Sequence, residues 1–436
     1  MQRRHFLSMT TAMAGGSLLS ACGGGGEPAG LESARSALEQ PMATTTVKSR
    51  VIVIGGGMAG ATVAKYLRLW GDAIEVTLVE REQAYTSCIM SSLVLTGQRT
   101  MSSQAFKYDT LVSKYGVKRV LGDVVAIDPV SVKVTLASGQ VLQADRIVMA
   151  PGIDFDDVPG LGTSDKMPHA WKAGPQTALL ASQLKAMSSG GTAILTIPAT
   201  PYRCPPGPYE RACLIADWIK VKKPQGKLLV LDANPDFVTE KDNFSSAFFG
   251  LHQNVVEYVP NAAVTQVDPA AMKVYTAQGV FTGEVVNLIP RQKAGKLVVA
   301  SGLNNATSGR FAGVNVLSYA SSVAGAEKIH IIGDSSATTQ PKAGHIANQE
   351  AKVCADAISR ILSGGSPDPA PVTNSACYST ITMSQASWLT AAFQYDAASQ
   401  TMKAVAASAS ASTGWSSGNF KEMGTWFNAL MTDTFA

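Results

Sequence analysis

Between Ser49 and Glu82 the stretch "SRVIVIGGGMAGATVAKYLRLWGDAIEVTLVERE" changes its apolar period twice. Val51 to Ile54 form an unbroken apolar run, the mark of a buried strand. Three glycines follow, then a segment with helical spacing, then "EVTLVE", which reads as a second strand ending at Glu80. Strand, glycine turn, helix and strand make one complete βαβ unit. The same order recurs with "GTAILTIP" (191–198) as strand, "GPYERACLIADWIK" (207–220) as helix and "GKLLVLDANP" (226–235) as strand. Two further segments run a strand into glycine: "LQADRIVMAPGIDF" (142–155) and "EKIHIIGDSSATTQPKAGHIANQEAKVCADAI" (327–358). The second continues as a helix. Beyond it, "SGGSPDPAPVTNSACYSTITMSQASWLTAAFQYD" (363–396) opens a separate region, read as an antiparallel sheet with short helices.

These elements predict an α/β fold. Two Rossmann-like βαβ domains, the second inserted into the first, precede a C-terminal α+β domain. The expected bounds are 50–160 and 285–365 for the interrupted domain, 161–284 for the insert and 366–436 for the last domain. At 436 residues, 46% hydrophobic, the chain can bury a large core without disulfide staples. A formal charge of +4 and a lone lysine cluster, "KVKKPQGK", argue against nucleic-acid binding. Residues 1–21 read as a targeting segment. Arg3 and Arg4, followed by Phe6, Leu7 and a small-residue apolar stretch, fit a twin-arginine export signal. "LSAC", ending at Cys22, resembles a bacterial lipobox; the alternative is plain cleavage near Ala21. Residues 22–49 read as a flexible leash. No later stretch offers the roughly 20 apolar residues of a membrane span. The expected location is the periplasm, with the protein either soluble or tethered by lipid at Cys22.

Candidate chemistry begins at Gly55-Gly56-Gly57-Met58-Ala59-Gly60, a G-x-G-x-x-G turn between strand and helix. Gly55 makes the tight turn, Gly57 admits a pyrophosphate and Gly60 packs helix on strand; Glu80 accepts hydrogen bonds from a ribose. The segments holding Gly152 and Gly333-Asp334 resemble the return and the last cofactor motif of two-dinucleotide flavoproteins. That resemblance implies FAD on the first unit, with Asp334 bonded to the ribityl chain. The second unit, which in such proteins takes NAD(P)H, has Ala199-Thr200-Pro201-Tyr202-Arg203-Cys204-Pro205-Pro206-Gly207-Pro208 in place of its glycine turn. Proline has no N–H to offer a phosphate. The second nucleotide site is therefore read as replaced, with a thiol at its tip.

"YRCPPGPYERA", "VVNLIPRQKAG", "IHIIGDSS…PKAGHIAN" and "NSACYSTI" together resemble the flavoprotein subunit of flavocytochrome c sulfide dehydrogenase, over nearly all of residues 50–436. The resemblance implies a redox-active disulfide between Cys204 and Cys377 beside the flavin, attacked by hydrosulfide. It implies a thioether from Cys88 to FAD, although Ile89 stands where the family usually has an aromatic residue. It implies a c-type cytochrome partner carrying the haem, since this chain has no C-x-x-C-H. Lys342 and His345 are candidates to stabilise charge on reduced flavin, His345 reading more simply as a satisfied surface histidine. Glu210 is a proton acceptor for sulfide or, preferably, a cap or ion pair at the helix start. Cys213 and Cys354 read as core thiols. The five histidines lack ligand spacing, so no metal is expected. Three other readings stand beside the first: a sulfide:quinone oxidoreductase, an NAD(P)H-dependent disulfide reductase, and a flavin-binding assembly subunit whose cysteines only staple domains.

Overall fold

The computed structural model describes residues 46–436. The export signal, Cys22 and most of the leash lie outside the described residues. The first βαβ unit forms as strand Ser49–Ile54, helix Met58–Trp70 and strand Ile74–Glu80, the two strands parallel. Gly55 takes φ +94°, a conformation that side-chain-bearing residues avoid, and a Cβ on Gly60 would collide with the Gly55 carbonyl oxygen. These two glycines let the helix start directly over the strand end.

Arg146–Met149 pairs with the other side of Ser49–Ile54, and Ile329–Ile331 extends the sheet beyond it, both in parallel register. Lys118–Leu121 closes the opposite edge. The chain thus leaves this sheet after residue 149 and re-enters it at Ala312–Asn315, which joins Ile329–Ile331 through Ala320–Ser321. The excursion builds a second parallel sheet in the order Val256–Val259, Lys227–Asp232, Thr192–Ile197, Val285–Asn287. Helix Gly207–Lys222 packs on it through Ala212, Ile215, Ala216 and Ile219. Back on the first sheet, helix Gly344–Leu362 lies against Met58–Trp70 through Ala347, Ala351 and Ile358.

The C-terminal region contains the expected antiparallel sheet, a hairpin of Val372–Thr380 with Ala386–Asp396 plus Thr401–Ala404. Of the short helices expected there, only a three-residue turn of helix, Ala406–Ser408, forms. One 19-residue helix, Ser417–Phe435, ends the chain, capped where the Ser416 hydroxyl accepts the Asn419 N–H at 3.1 Å. Glycines and threonines in "SGNFKEMGTWFNALMTDTF" weaken its intrinsic helicity, so its stability comes from burial. Phe427, Leu430, Met431 and Phe435 enter the core around the first helix, and Phe435 stacks on Tyr85 at 5.2 Å. Lys65 donates to the carbonyls of Asp433 and Ala436 at 2.9 and 2.6 Å, satisfying the helix end.

Candidate active site

A cavity of about 1050 Å³ opens where the two parallel sheets and the C-terminal hairpin meet. Its wall gathers Gly55, Gly57 and Glu80 from the first βαβ unit, Gly152, Gly333 and Asp334 from the re-entrant segments, and Cys88, Cys204 and Cys377. Gly60 lies under the turn, where it serves packing. Glu80 already accepts the Gly56 N–H at 2.6 Å and the Glu82 N–H at 2.9 Å, which fixes its carboxylate at the cavity edge.

The residues fit FAD. Helix Met58–Trp70 starts without a side-chain cap, so its first N–H groups are available to a pyrophosphate. A Cβ at Gly57 would meet only the Tyr85 ring, at 3.7 Å, which leaves open space over the turn. Asp334 is half-buried, its Oδ1 is shielded from solvent without a hydrogen-bond partner, and Arg203 Nη1 stands 3.9 Å from its other oxygen. A buried carboxylate oxygen without a donor is costly, and a ribityl hydroxyl would supply one. Burial raises the Asp334 carboxyl above its usual range, against the pull of Arg203 and Lys342.

The proline-rich turn is clamped at three points. Arg203 N–H donates to Gln292 Oε1 at 2.8 Å, Cys204 N–H to the Lys342 carbonyl at 2.6 Å, and Gly207 N–H to the Cys204 carbonyl at 2.8 Å. A Cβ at Gly207 would stand 2.8 Å from Cys204 Sγ and 2.9 Å from the Trp171 ring, so only glycine fits. Burial pushes the Cys204 thiol well up; Cys377 and Glu210 push the same way, and Arg203 opposes them. Burial also pushes Cys377 up to about 12, with Glu240 adding to the rise. The two sulfurs share the wall and the electrostatics of one cavity, and both are free thiols in this structure. Cys88, also a free thiol, accepts the Ala173 N–H at 3.4 Å.

Three residues sit differently from their sequence reading. Glu210 neither caps its helix nor forms an ion pair: it lines the cavity, accepts the Thr380 hydroxyl at 2.8 Å, and burial raises its carboxyl to about 7. His345 is not a surface residue. It lines the cavity, and its Nδ1 accepts the Ala376 N–H at 3.0 Å, tying the Cys377 strand to the start of Gly344–Leu362. Lys342 turns its amine away from the cavity, over the Phe311 ring at 3.9 Å and onto the Ser336 carbonyl at 2.6 Å. Cys213 and Cys354 are fully buried in the two cores. Sequence reasoning missed Tyr85, Trp171, Met423 and Trp426, all in the cavity wall, because nothing local marks an aromatic or a methionine as a cavity liner.

The second βαβ unit has a further feature. Its Asp232, at the strand end that corresponds to Glu80 in the first unit, accepts the hydroxyls of Tyr209 and Tyr258 at 2.7 and 2.9 Å and both Asn234 donors at 2.8 Å. Phe237, Phe244 and Phe248 close around Tyr209. An acidic residue held this way is not free to accept a ribose.

Paired βαβ domains, one open and one plugged, with thiols facing the FAD cavity, define a flavoprotein oxidoreductase of the two-dinucleotide-domain class. Three family profiles match in succession: pyridine nucleotide-disulphide oxidoreductase over residues 49–185, the central part of the sulfide dehydrogenase [flavocytochrome c] flavoprotein chain over 177–290, and the flavocytochrome c sulphide dehydrogenase flavin-binding region over 369–435. A 45-residue stretch, 10% of this chain, is 51% identical to the sulfide dehydrogenase flavoprotein chain of Chlorobaculum thiosulfatiphilum and covers 94% of that sequence. The chain belongs to the family of flavocytochrome c sulfide dehydrogenase flavoproteins. It is also 36% identical over 108 residues to an apoptosis-inducing factor homolog of Dictyostelium discoideum, a match that spans 25% of this chain and only 26% of the relative. In fold it is similar to the sulfide:quinone oxidoreductase of Aquifex aeolicus, with a TM-score of 0.71 at 16% identity, covering 88% of this chain and 91% of that one. A second fold likeness is to an NAD-dependent persulfide reductase from A. fulgidus, with a TM-score of 0.60 at 14% identity over 87% of this chain and 77% of that one.

Proposed function

We propose that this flavoprotein oxidises hydrosulfide to sulfur or polysulfide at a Cys204–Cys377 pair that cycles between disulfide and thiol, and that its electrons leave through FAD to a c-type cytochrome. The observation that carries this reading is that the two thiols, from the proline-rich turn and the C-terminal hairpin, lie in the wall of the FAD cavity. Hydrosulfide attacks one sulfur of the oxidised pair: HS⁻ adds, the S–S bond breaks, and one cysteine becomes a persulfide while the other leaves as thiolate. Arg203 beside Cys204 offsets the charge of a thiolate there. Glu210, with its raised carboxyl pKa, takes the proton released by the persulfide. Bound FAD supplies the conversion between a two-electron donor and a one-electron acceptor. A second sulfide then lifts the outer sulfur from the persulfide as HSS⁻, and loss of two electrons from the two thiolates restores the disulfide.

The rival readings fare less well. Asp232 is occupied and the turn offers prolines, which disfavours NAD(P)H. A quinone enzyme calls for a paired amphipathic helix at the C-terminus. The helix Ser417–Phe435 instead buries its Phe427 and Phe435 in the core around the first helix, which leaves those aromatics unavailable to a lipid surface. Covalent attachment of FAD through Cys88, export to the periplasm and a lipid anchor at Cys22 are part of the same proposal.

Anaerobic mixing with sulfide tests it. We expect rapid flavin bleaching in the parent, none in Cys204→Ser or Cys377→Ser, and none with NADH in place of sulfide. Equal bleaching in parent and both variants would overturn the reading. Acid precipitation addresses Cys88: flavin should stay with the pellet of the parent and appear in the supernatant of Cys88→Ala.

A further inference from the structure

The turn that carries Cys204 and the strand that carries Cys377 are far apart in the chain, and Glu240 links them. It stands just before the short helix Lys241–Ser246 with φ +44°, a left-handed conformation that a side chain makes unfavourable. Its Oε1 accepts the Ser379 hydroxyl at 2.6 Å and its Oε2 the Ser387 hydroxyl at 2.7 Å. Those two serines are fully buried and face each other in the register of the C-terminal hairpin, so one carboxylate grips both strands. Ser379 lies two residues beyond Cys377, on the same face of its strand.

The backbone beside Glu240 is fixed to the Cys204 side. Val238 N–H donates to the Tyr209 hydroxyl at 3.4 Å, and the Phe237 and Phe244 rings pack on Tyr209 at 5.1 and 5.3 Å. Tyr209 sits in the first turn of helix Gly207–Lys222, whose Gly207 N–H holds the Cys204 carbonyl. The same helix also reaches the hairpin directly. Glu210 accepts the Thr380 hydroxyl at 2.8 Å, and Asp217 Oδ2 accepts the Met383 N–H at 2.9 Å. Those contacts hold the hairpin's turn end, whereas Glu240 alone of these residues bonds to both strands.

We infer that Glu240 is a positioning residue for the Cys204–Cys377 pair: through Ser379 and Ser387 it fixes the hairpin where the Cys377 sulfur meets Cys204. The inference rests on the redox reading above. A disulfide closes only when the two Cα atoms lie within about 7 Å, so a small shift of one strand weakens it. The unfavourable backbone at Glu240 aims its carboxylate at the hairpin. Its charge matters less than its place. Burial holds both thiols protonated at neutral pH, so removing the charge alone leaves the bridge equilibrium there almost unmoved.

The test reads the bridge equilibrium without sulfide. The holoprotein is equilibrated anaerobically at pH 7 with graded ratios of oxidised to reduced dithiothreitol, quenched in acid and alkylated. Mass spectrometry of the digest then counts the Cys204–Cys377 bridge. Each bridge formed takes two thiols of the protein and converts one oxidised dithiothreitol to its dithiol. Glu240→Ala should lower the bridging constant at least tenfold, a rise of about 30 mV in the potential of the pair. Glu240→Gln, whose amide accepts one hydroxyl and donates to the other serine, should stay within about threefold of the parent. A purely structural role predicts a lower melting midpoint with the potential unmoved. Should Glu240→Ala fail to fold, Ser379→Ala, which cuts only the tie to the strand of Cys377, carries the same expectation. Parental bridging in the folded alanine variants, or Glu240→Gln shifted as far as Glu240→Ala, would overturn the inference and leave the cysteine mechanism standing. A parent that never forms the bridge would overturn both.

Discussion

Glu210 shows how much one position depends on its surroundings. Four residues into its helix, it would ordinarily be a solvated carboxylate that complements the helix dipole. Burial beside Cys204 and the Thr380 hydroxyl instead leaves it near pH 7. We expect sulfide-driven flavin reduction in the parent to rise through a limb near pH 7, as this carboxyl loses its proton and becomes a base. With rates expressed per hydrosulfide anion, so that ionisation of sulfide itself is divided out, the limb should disappear in Glu210→Gln and the rate fall by about 100-fold. Stopped-flow traces from pH 5.5 to 8.5 would decide, and an unchanged limb would reassign the base. His345 is the neutral counterpart. Its pKa, lowered to about 4 mainly by burial, keeps the ring able to accept the Ala376 N–H that steadies the Cys377 strand.

At the scale of elements, the first βαβ unit and the C-terminal helix stand at opposite poles. The βαβ unit was legible because its signals are local: an apolar run, glycines where the backbone needs positive φ or close approach, and an acidic strand end. The helix Ser417–Phe435 was not, since its residues favour it weakly and only its partners stabilise it. Phe427, 1% exposed, packs edge-on to Phe106 at 5.9 Å. Phe427→Ala should therefore cost about 3–5 kcal/mol, read as a lowered unfolding midpoint in denaturant. Ser416→Ala should cost only about 1 kcal/mol, the worth of a helix cap. Comparable losses from the two changes would mean that the helix contributes little to the core.

For the molecule as a whole, titration of buried groups sets a pH dependence. His169, His252, His330 and His345 all have pKa values lowered to about 4, chiefly by burial. Above about pH 6.5 they are neutral in both folded and unfolded chains. Below it the unfolded chain binds protons that the folded one refuses, so stability falls between about pH 6.5 and 4. Glu210 and Glu350, raised to about 7, act oppositely. Their stabilising effect is complete below about pH 4.5 and is lost as pH rises through 7. Asp232, Glu240 and Asp334 are raised in the same direction by burial. The four histidines, each shifted down across this window, are expected to outweigh these carboxyls, giving a lower thermal midpoint at pH 5 than at pH 7. A midpoint that rises at pH 5 would show that the carboxyls dominate.

Taken alone, the amino-acid sequence determined the two βαβ units, the FAD site of the first, the loss of the second nucleotide turn and the family, because each rests on neighbours within a few tens of residues. Only the tertiary structure decided which groups share a cavity. Cys204 comes from the turn before helix Gly207–Lys222 and Cys377 from the C-terminal hairpin, Asp232 is closed by Tyr258 from another strand, and Lys342 points into a different cavity from Ala343 and His345. Side-chain direction, burial and charge balance arise from contacts between distant segments, and local pattern carries no record of them.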